Sequence, residues 1–411
     1  MTPKLCSSSV FSRRRCWILG SWVVLLATFA FIALNFNFGW DSFAYRRAMV
    51  ELHSGFSPYL LGAERVQSHH DWLNGLRIWS YVYPPVTLPL MRLLASLPIW
   101  LVASVYWSLY LGGFVLIVRF GYRFFLPQER IAGLLLAHFA LLFPGLLYED
   151  VMLSGNIIVL VMGAALFSAQ RAWRTGRWRW FFLVVLLASF VKPPLLTLLA
   201  IPLLSARRKW LPVGITGLAG VLVFVAQRWL WPEQFRQYIA LFDAVRNFGG
   251  LGYMGFSPMD MMRRVMMSLD CVHDGAVALF YLSYATAIVV SLFFCIRRCK
   301  ARGVAFERWA PAMILGVFLL NPRLKPYDIA TISILIFLLS WRLLRRLLKN
   351  RLWCAVVSLA LLGGLNGFAV ALNCCEPLET GILVTVFLLS LWGLVTEPGD
   401  GVPPLSEPRS V

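Results

Sequence analysis

Charged residues are scarce in this chain. Asp, Glu, Lys and Arg make up 14% of its 411 residues, whereas 59% are hydrophobic. Soluble globular proteins carry about 25% charged residues, which argues against a soluble fold. Alternating strand patterns of about ten residues, typical of outer-membrane barrels, are also absent. Long apolar stretches instead recur from Trp17 to Trp392 and predict an all-α, polytopic integral membrane protein.

Acidic residues are the scarcer charge, with 19 Asp and Glu against 38 Lys and Arg. The net charge of +19 does not require nucleic acid, because the basic clusters fall between apolar runs, in alternate loops: 13–15, 119–130, 171–179, 207–209, 297–308 and 342–351. The positive-inside rule therefore places these loops and both termini in the cytoplasm. The opposite side is then nearly neutral, and the charge excess is an orientation signal.

Cysteine and histidine are also few, with eight Cys and five His. One bridge from Cys271 to Cys374 or Cys375 fits the predicted topology, but no disulfide framework is implied. No group of side chains has the spacing of a metal site. We therefore predict neither a metal nor another cofactor.

Twelve crossing or half-crossing segments are predicted, at about 17–36, 99–119, 131–148, 151–169, 180–190, 193–204, 211–229, 276–296, 309–321, 326–341, 352–372 and 381–396. Two of them, 180–190 and 193–204, are too short to span about 30 Å at 1.5 Å per residue. Lys192-Pro193-Pro194 lies between them and predicts a tight turn at or below the outer membrane face. Segment 84–97 is predicted to lie in the outer leaflet, since a crossing there would put the later Arg clusters outside.

The predicted organisation is one transmembrane domain over 1–396, followed by a Pro-rich, disordered cytoplasmic tail at 397–411. Two long outer loops, 37–98 and 231–275, belong to this domain. An amphipathic interfacial helix is predicted in the first, because apolar residues recur there at helical spacing: Tyr45, Ala48, Met49, Leu52 and Phe56. Its other faces carry Arg46, Arg47 and Glu51.

The predicted spans hold almost no charge, whereas transporters and proton pumps usually place ionisable groups mid-membrane. His138 and Gln227 are the main polar groups there, and His138 is interpreted as a core residue. Polar side chains gather instead at the outer helix ends: Asp41, Tyr45, Arg46, Arg47, Tyr83, Glu149, Asp150, Asn156, Lys192, Asn321, Arg323, Lys325, Tyr327 and Asp328. Since the cations on this nearly neutral side do not set orientation, anion binding beneath the loop is their simplest explanation.

Six sequence motifs occur in a fixed order: "WDSFAY", "GFSPYL", "YVYPPVTLPLMRLLASLP", "LSGNIIVLVMG", "FVKPPLLTLL" and "NPRLKPYDIA". From about Trp17 to Leu348 the chain thereby resembles glycosyltransferase family 87 of the membrane-embedded GT-C superfamily. The resemblance implies a GT-C-like fold and a polyprenyl-phosphate sugar donor, usually carrying mannose. It also implies inverting transfer to a lipid-linked or envelope glycan acceptor at the outer face of the cell membrane.

The resemblance assigns the general base to Asp41. The chain departs from the family at two places. The Gly-Gln motif of the family falls on Gly155-Asn156, and His-rich sequence of many members falls on Arg323-Leu324-Lys325. Recognition of the leaving group is therefore expected to differ.

The chemistry of such a transfer is consistent with these residues. A lipid-phosphate sugar carries its own leaving group, so one base and a set of cations suffice. We expect Asp41 to act as the base, and Lys192, Arg323 and Lys325 to hold the donor phosphate, with Arg46 as a helper. The substrate pocket is predicted to contain Tyr45, Tyr83, Asn156 and Tyr327.

Each of these residues also has a structural interpretation. Asp41 is a favourable N-cap residue, Arg46 can touch lipid head groups, and Lys192 can snorkel to the interface. Arg323 and Lys325 can be ordinary interface anchors. At the level of function, the alternatives are a lipid or solute transporter and a non-catalytic membrane subunit.

Overall fold

The computed structural model describes residues 40–59, 81–126, 129, 155–206, 209–248, 257–270, 273–350, 353–354, 356–358 and 375–396, together with Gly20 and Val23. Within these ranges all regular structure is helical. Four helices are long and apolar enough to cross a membrane: Ile99–Tyr122, Trp210–Leu230, Asp274–Ala301 and Leu378–Thr396. Large apolar side chains on their surfaces are widely exposed, for example Trp229 at 71% and Leu279 at 67%. Such a surface suits lipid, which confirms the prediction of a helical membrane protein.

The described α-helices are, in chain order, α1 (Trp40–His53), α2 (Leu88–Ala95), α3 (Ile99–Tyr122), α4 (Ile158–Thr175), α5 (Arg179–Val191), α6 (Ala200–Ser205), α7 (Trp210–Leu230), α8 (Pro232–Phe248), α9 (Pro258–Ser268), α10 (Asp274–Ala301), α11 (Phe306–Leu319), α12 (Pro326–Ala330), α13 (Ser333–Leu347) and α14 (Cys375–Thr396). Two 3₁₀ segments, Pro85–Thr87 and Pro193–Leu199, precede α2 and α6.

Helices α3 and α4 pack tightly against each other and run parallel. Near their starts, the Tyr106 hydroxyl donates a hydrogen bond to the Gly155 carbonyl. Near their ends, Arg123 Nη1 donates to the Gln170 carbonyl over 3.1 Å. This direction agrees with the outside-to-inside course predicted for both helices, while the segment 131–148 lies outside the described residues.

The predicted break at Lys192 is present. Helix α5 has 13 residues and ends at Val191, and Pro193 and Pro194 begin a 3₁₀ segment that continues into α6. The returning chain reaches the end of α4, where Trp173 Nε1 donates to Ser205 Oγ over 2.9 Å. Lys192 therefore lies about 20 Å along the axis from the start of α5. This is less than the hydrocarbon thickness of about 30 Å, so α5 alone is too short to cross a membrane.

The stretch 37–98, predicted to be the first outer loop, contains the predicted helix, α1, but two details of the prediction are wrong. Phe56 follows the turn at Gly55, whose φ is +80°, and is 65% exposed, so it is not on the apolar face. Glu51 is buried and forms an ion pair with Arg47 over 2.5 Å. The buried face of α1 packs against α2, and α2 is short, as predicted for the segment 84–97.

Three other predicted boundaries differ from the structure. The helix predicted at 151–169 begins at Ile158, because Gly155 has a φ of +67° and Asn156 Oδ1 accepts the Ile158 N–H. The helix predicted at 193–204 is largely 3₁₀. The helix predicted at 326–341 is two helices, α12 and α13. The Thr331 hydroxyl between them donates to the Asp328 carbonyl, a local bond that competes with helix continuation. Segment 17–36, except Gly20 and Val23, and most of 352–372 lie outside the described residues, as do the bridge at Cys271 and the tail.

The contact between α3 and α4 gives a first prediction. A Cβ at Gly163 would lie 2.5 Å from the Gly113 carbonyl oxygen, whereas a Cβ at Gly112 meets nothing within 4 Å. Gly163→Ala should therefore lower the free energy of unfolding by ~1–3 kcal/mol, because backbone atoms cannot yield locally. The control, Gly112→Ala, should be neutral or stabilising by up to ~1 kcal/mol. Thermal unfolding in detergent measures both, and equal effects would contradict this helix contact.

Candidate functional site

A cavity of about 260 Å³ lies where several distant stretches of the chain meet. Its walls come from the residues before the first 3₁₀ segment, the start of α4, the turn after α5, the loop before α12, and helices α7 and α8. Five of the residues predicted to form the site line this cavity: Tyr83, Asn156, Lys192, Arg323 and Tyr327. They are separated by up to 244 positions in the sequence, so the fold, and no local motif, brings them together.

Tyr45 supports the cavity from α1 and does not line it. Its hydroxyl lies 2.7 Å from the Tyr83 hydroxyl and accepts the Ile157 backbone N–H over 3.1 Å. Its ring also packs edge-on against Tyr106, with centroids 5.8 Å apart. The Tyr59 hydroxyl donates to the Tyr83 carbonyl over 2.8 Å. These contacts fix Tyr83 and the start of α4, and they couple α1 to the cavity wall.

Lys192 is held by a carboxylate behind the cavity wall. Its Nζ lies 2.6 Å from both carboxylate oxygens of Asp328, and the two side chains are only 15% and 2% exposed. Asp328 Oδ2 also accepts the Lys325 backbone N–H over 2.8 Å. In addition, Lys192 Nζ lies 4.8 Å from the centre of the Tyr327 ring, within cation–π range. The ammonium group is therefore fixed at the cavity edge.

Arg323 contributes the second cation of the lining. Its backbone N–H donates to Asn321 Oδ1 over 2.9 Å, which shapes the turn after α11. Ser257 Oγ donates to the neighbouring Pro322 carbonyl over 2.7 Å and links this turn to α9. Tyr238 lies within the field of Arg323. Burial raises the pKa of Tyr238, and the positive charge of Arg323 partly opposes that rise. This phenol therefore stays protonated and can donate a hydrogen bond.

Three predicted site residues are placed differently. Asp41 is the second residue of α1, one turn before Tyr45. Only its backbone belongs to the described part of the structure. Arg46 is exposed and Lys325 is half-buried, and neither lines the cavity. The predicted convergence of Lys192, Arg323 and Lys325 is therefore met at this cavity by Lys192 and Arg323.

Several residues of the site were missed by the sequence prediction. Phe224 and Tyr238 line the cavity, and Gln227 Oε1 accepts the Val86 N–H over 2.8 Å. The pairing of Asp328 with Lys192 was also missed, because 136 residues separate them. An available signal was Gln227 itself, a lone amide at the end of an apolar run, where a polar side chain requires a partner.

The residue types around the cavity suit an anion with an attached polar group. Two cations, three phenols and an amide line it, next to apolar surface from Pro193, Pro194 and Phe224. Within the ranges that the structure describes, no group of three or more His, Cys, Asp or Glu could hold a metal ion. Comparisons with protein-family models, curated proteins and solved structures find no match to this chain. The site therefore has to be interpreted from its own geometry.

The pair of Lys192 and Asp328 gives a second prediction. Asp328→Asn or Lys192→Met alone leaves a buried charge without its partner and should cost ~3–5 kcal/mol. The double variant removes both charges and should recover most of that loss. Glu233→Gln is the control, because the ion pair of Glu233 with Arg236 is exposed and its loss should change stability little. Thermal unfolding in detergent would contradict the coupling if the effects of the single variants simply added.

Proposed function

We propose that this chain is a membrane glycosyltransferase that moves a sugar from a polyprenyl-phosphate donor to a lipid-linked or envelope glycan acceptor. The observation that supports it best is the cavity in which Lys192 and Arg323 stand beside Tyr83, Asn156 and Tyr327. A phosphate needs cations, and a sugar needs phenols and amides for its hydroxyl groups. Both kinds of group meet within one space large enough for a sugar phosphate.

The transfer that fits this set is inverting. An acceptor hydroxyl attacks the anomeric carbon, the bond from that carbon to the phosphate oxygen breaks, and the hydroxyl proton passes to a base. The lipid phosphate leaves as a monoester with more negative charge than it had in the donor. Lys192 and Arg323 stabilise that additional charge, and a phosphate leaving group needs no acid of the glycosidase type.

Asp41 is the proposed base. Residues four apart on a helix share a face, so Asp41 and Tyr45 lie on the same side of α1. The Tyr45 hydroxyl is bonded to Tyr83, which lines the cavity. The start of α1 is therefore one helical turn from a side chain in contact with the cavity wall.

The finer parts of the proposal follow from the family resemblance and from the charge pattern. They comprise a GT-C-like arrangement of about twelve crossing or half-crossing segments, with both termini in the cytoplasm of a cell with an envelope glycan. The sugar is proposed to be mannose or a related hexose. Lys192 and Arg323 would then hold the donor near the outer leaflet, next to the loop of α1 and α2.

Orientation gives a third prediction. Ala240 in α8 and Thr175 at the end of α4 are both exposed, at opposite ends of the described structure. In intact cells, a membrane-impermeant thiol reagent should label Ala240→Cys above the level of the parent chain, which has eight cysteines. Thr175→Cys should be labelled only after the membrane is opened. Labelling of Thr175→Cys from outside would reverse the orientation and refute the outer placement of the site.

The role of Asp41 gives a fourth prediction. Asn has nearly the same shape as Asp and keeps one acceptor oxygen, but its amide cannot act as a base. Asp41→Asn should therefore leave folding and donor binding intact, while turnover falls by ~10²-fold or more. Transfer from a panel of polyprenyl-phosphate sugars measures this, with Glu233→Gln as a control for a carboxylate outside the cavity. Near-normal turnover in Asp41→Asn would limit Asp41 to a structural role in the first turn of α1.

A transporter is the second candidate, because an ion pair buried within a helical membrane protein is also typical of transport pathways. The two functions differ in their products. A transporter carries labelled lipid or solute across vesicle membranes, forms no new glycosidic bond and tolerates Asp41→Asn. The transfer assay with and without acceptor therefore distinguishes them.

A further inference from the structure

A second cavity, of about 280 Å³, lies at the opposite end of the helices. Helix α3 runs from the end of the structure with the first cavity to the end with the second. Tyr106, beside the first site, and Tyr122, beside the second cavity's Leu126, are separated by 16 residues, or about 24 Å. Four arginines and one carboxylate line the second cavity: Arg308, Arg342, Arg345, Arg346 and Glu129. Its formal charge is therefore positive, and its location separates it from the proposed transfer chemistry.

Arg342 lines this cavity and is fixed in place by hydrogen bonds. Its guanidinium makes two hydrogen bonds to the Glu129 carboxylate, over 3.1 and 2.9 Å. It also donates to the carbonyls of Glu307 and Phe124 over 2.9 and 2.8 Å. These four bonds join α13 to the chain after α3 and to the start of α11. Glu129, the carboxylate of the lining, is engaged by Arg342. The lining also includes Arg308, Arg346 and Arg345, which donates to the Leu348 carbonyl over 3.3 Å.

Two buried side chains of the lining have unused hydrogen-bonding capacity. Trp341 is 4% exposed and Ser390 is 5% exposed. Among the described residues, neither Trp341 Nε1 nor Ser390 Oγ has a hydrogen-bond partner. Buried polar groups are nearly always paired, so each such atom calls for an explanation. The indole N–H can only donate, and the hydroxyl can also donate, which matches an acceptor-only ligand.

Arg346 is seated against a glycine of the neighbouring helix. A Cβ at Gly393 in α14 would lie 2.6 Å from Arg346 Cζ. Only glycine leaves room for the guanidinium at this place. The position of Arg346 in the cavity therefore depends on α14 as well as on its own helix, α13.

We propose that this cavity binds the phosphate group of a phosphomonoester. Arg308, Arg345 and Arg346 would supply the charge, and Trp341 and Ser390 would supply two neutral donors. Such a phosphate is available at this end of the helices as the head group of an anionic lipid or as a free phosphate in solution. Leucine side chains from α13 and α14 also line the cavity, so a lipid head group would have apolar surface beside it.

The test uses the full-length protein in detergent, stripped of bound lipid, with two separate probes: inorganic phosphate and mixed micelles containing phosphatidic acid. Micelles with phosphatidylcholine, which has no monoester, are the reference. Binding should raise the thermal unfolding temperature, since a ligand of the folded state stabilises it. Stabilisation by inorganic phosphate identifies a free phosphate as sufficient, and stabilisation by phosphatidic acid alone identifies a lipid head group. Either result supports the site.

Two variants and one control test whether the probes bind at this cavity. Ser390→Ala should raise the unfolding temperature of the unliganded protein, because it removes an unpaired buried hydroxyl, yet weaken phosphate binding by about tenfold or more. Gly393→Ala keeps the net charge but displaces Arg346, so it should also weaken binding. Arg171→Gln removes an exposed charge near the same end, on α4, and should leave binding unchanged.

Two experimental outcomes would contradict phosphate binding at this cavity. Absence of stabilisation by both probes at millimolar concentration would overturn it. Equal stabilisation of Ser390→Ala, Gly393→Ala, Arg171→Gln and the parent chain would also overturn it, since that pattern indicates charge attraction without a site.

Discussion

The ion pair between Lys192 and Asp328 is the contact on which the candidate site depends. The Lys192 side chain is only 15% exposed, and a charge buried to that extent is costly without a partner. Asp328 removes most of that cost by contacting Lys192 Nζ with both oxygens at 2.6 Å. Because Asp328 also accepts the Lys325 N–H, the pair joins the turn after α5 to the start of α12. The cavity lies beside this junction, and both the turn after α5 and the start of α12 line it.

The two ends of the described helices solve the problem of buried polar groups differently. At the end with the candidate site, phenols of Tyr45, Tyr59 and Tyr83 bond to one another and to backbone groups. At the other end, the single guanidinium of Arg342 satisfies a carboxylate and two carbonyls. Phenols keep a site neutral and leave its charge to Lys192 and Arg323. Guanidinium groups anchor the basic end, where the sequence pattern expects the cytoplasm.

Local patterns in the sequence predicted much of the fold. The broken helix at Lys192 follows from two prolines, which begin a helical segment but cannot continue one. The buried face of α1 follows from helical spacing, although Phe56 misled the prediction because Gly55 turns the chain after the helix. The split between α12 and α13 depends on the Thr331 hydroxyl, a choice between local hydrogen bonds that periodicity does not resolve.

The site was predictable as a set of residue types but not as a geometry. Polar residues at helix ends pointed to Tyr83, Asn156, Lys192, Arg323 and Tyr327, because cations on the nearly neutral side of the chain do not set its orientation. Their partners were hidden by sequence distance, as the 136 residues between Lys192 and Asp328 show. The same limit applies to Arg346, because its contact with Gly393 forms only when α13 packs against α14.

The carboxylate behind Lys192 also bears on how the proposed transfer would gain speed. The cavity is lined by two cations, while Asp328 stands behind one of them. A phosphodiester donor carries one negative charge, and its phosphate acquires further charge only as the bond to the sugar breaks. A cation that is already oriented, as Lys192 is by Asp328, interacts more strongly with that later state than with the donor. In the proposed transfer, the ion pair would thus hold Lys192 in place for a charge that is greatest when the sugar departs, and this would favour the transition state over the bound substrate.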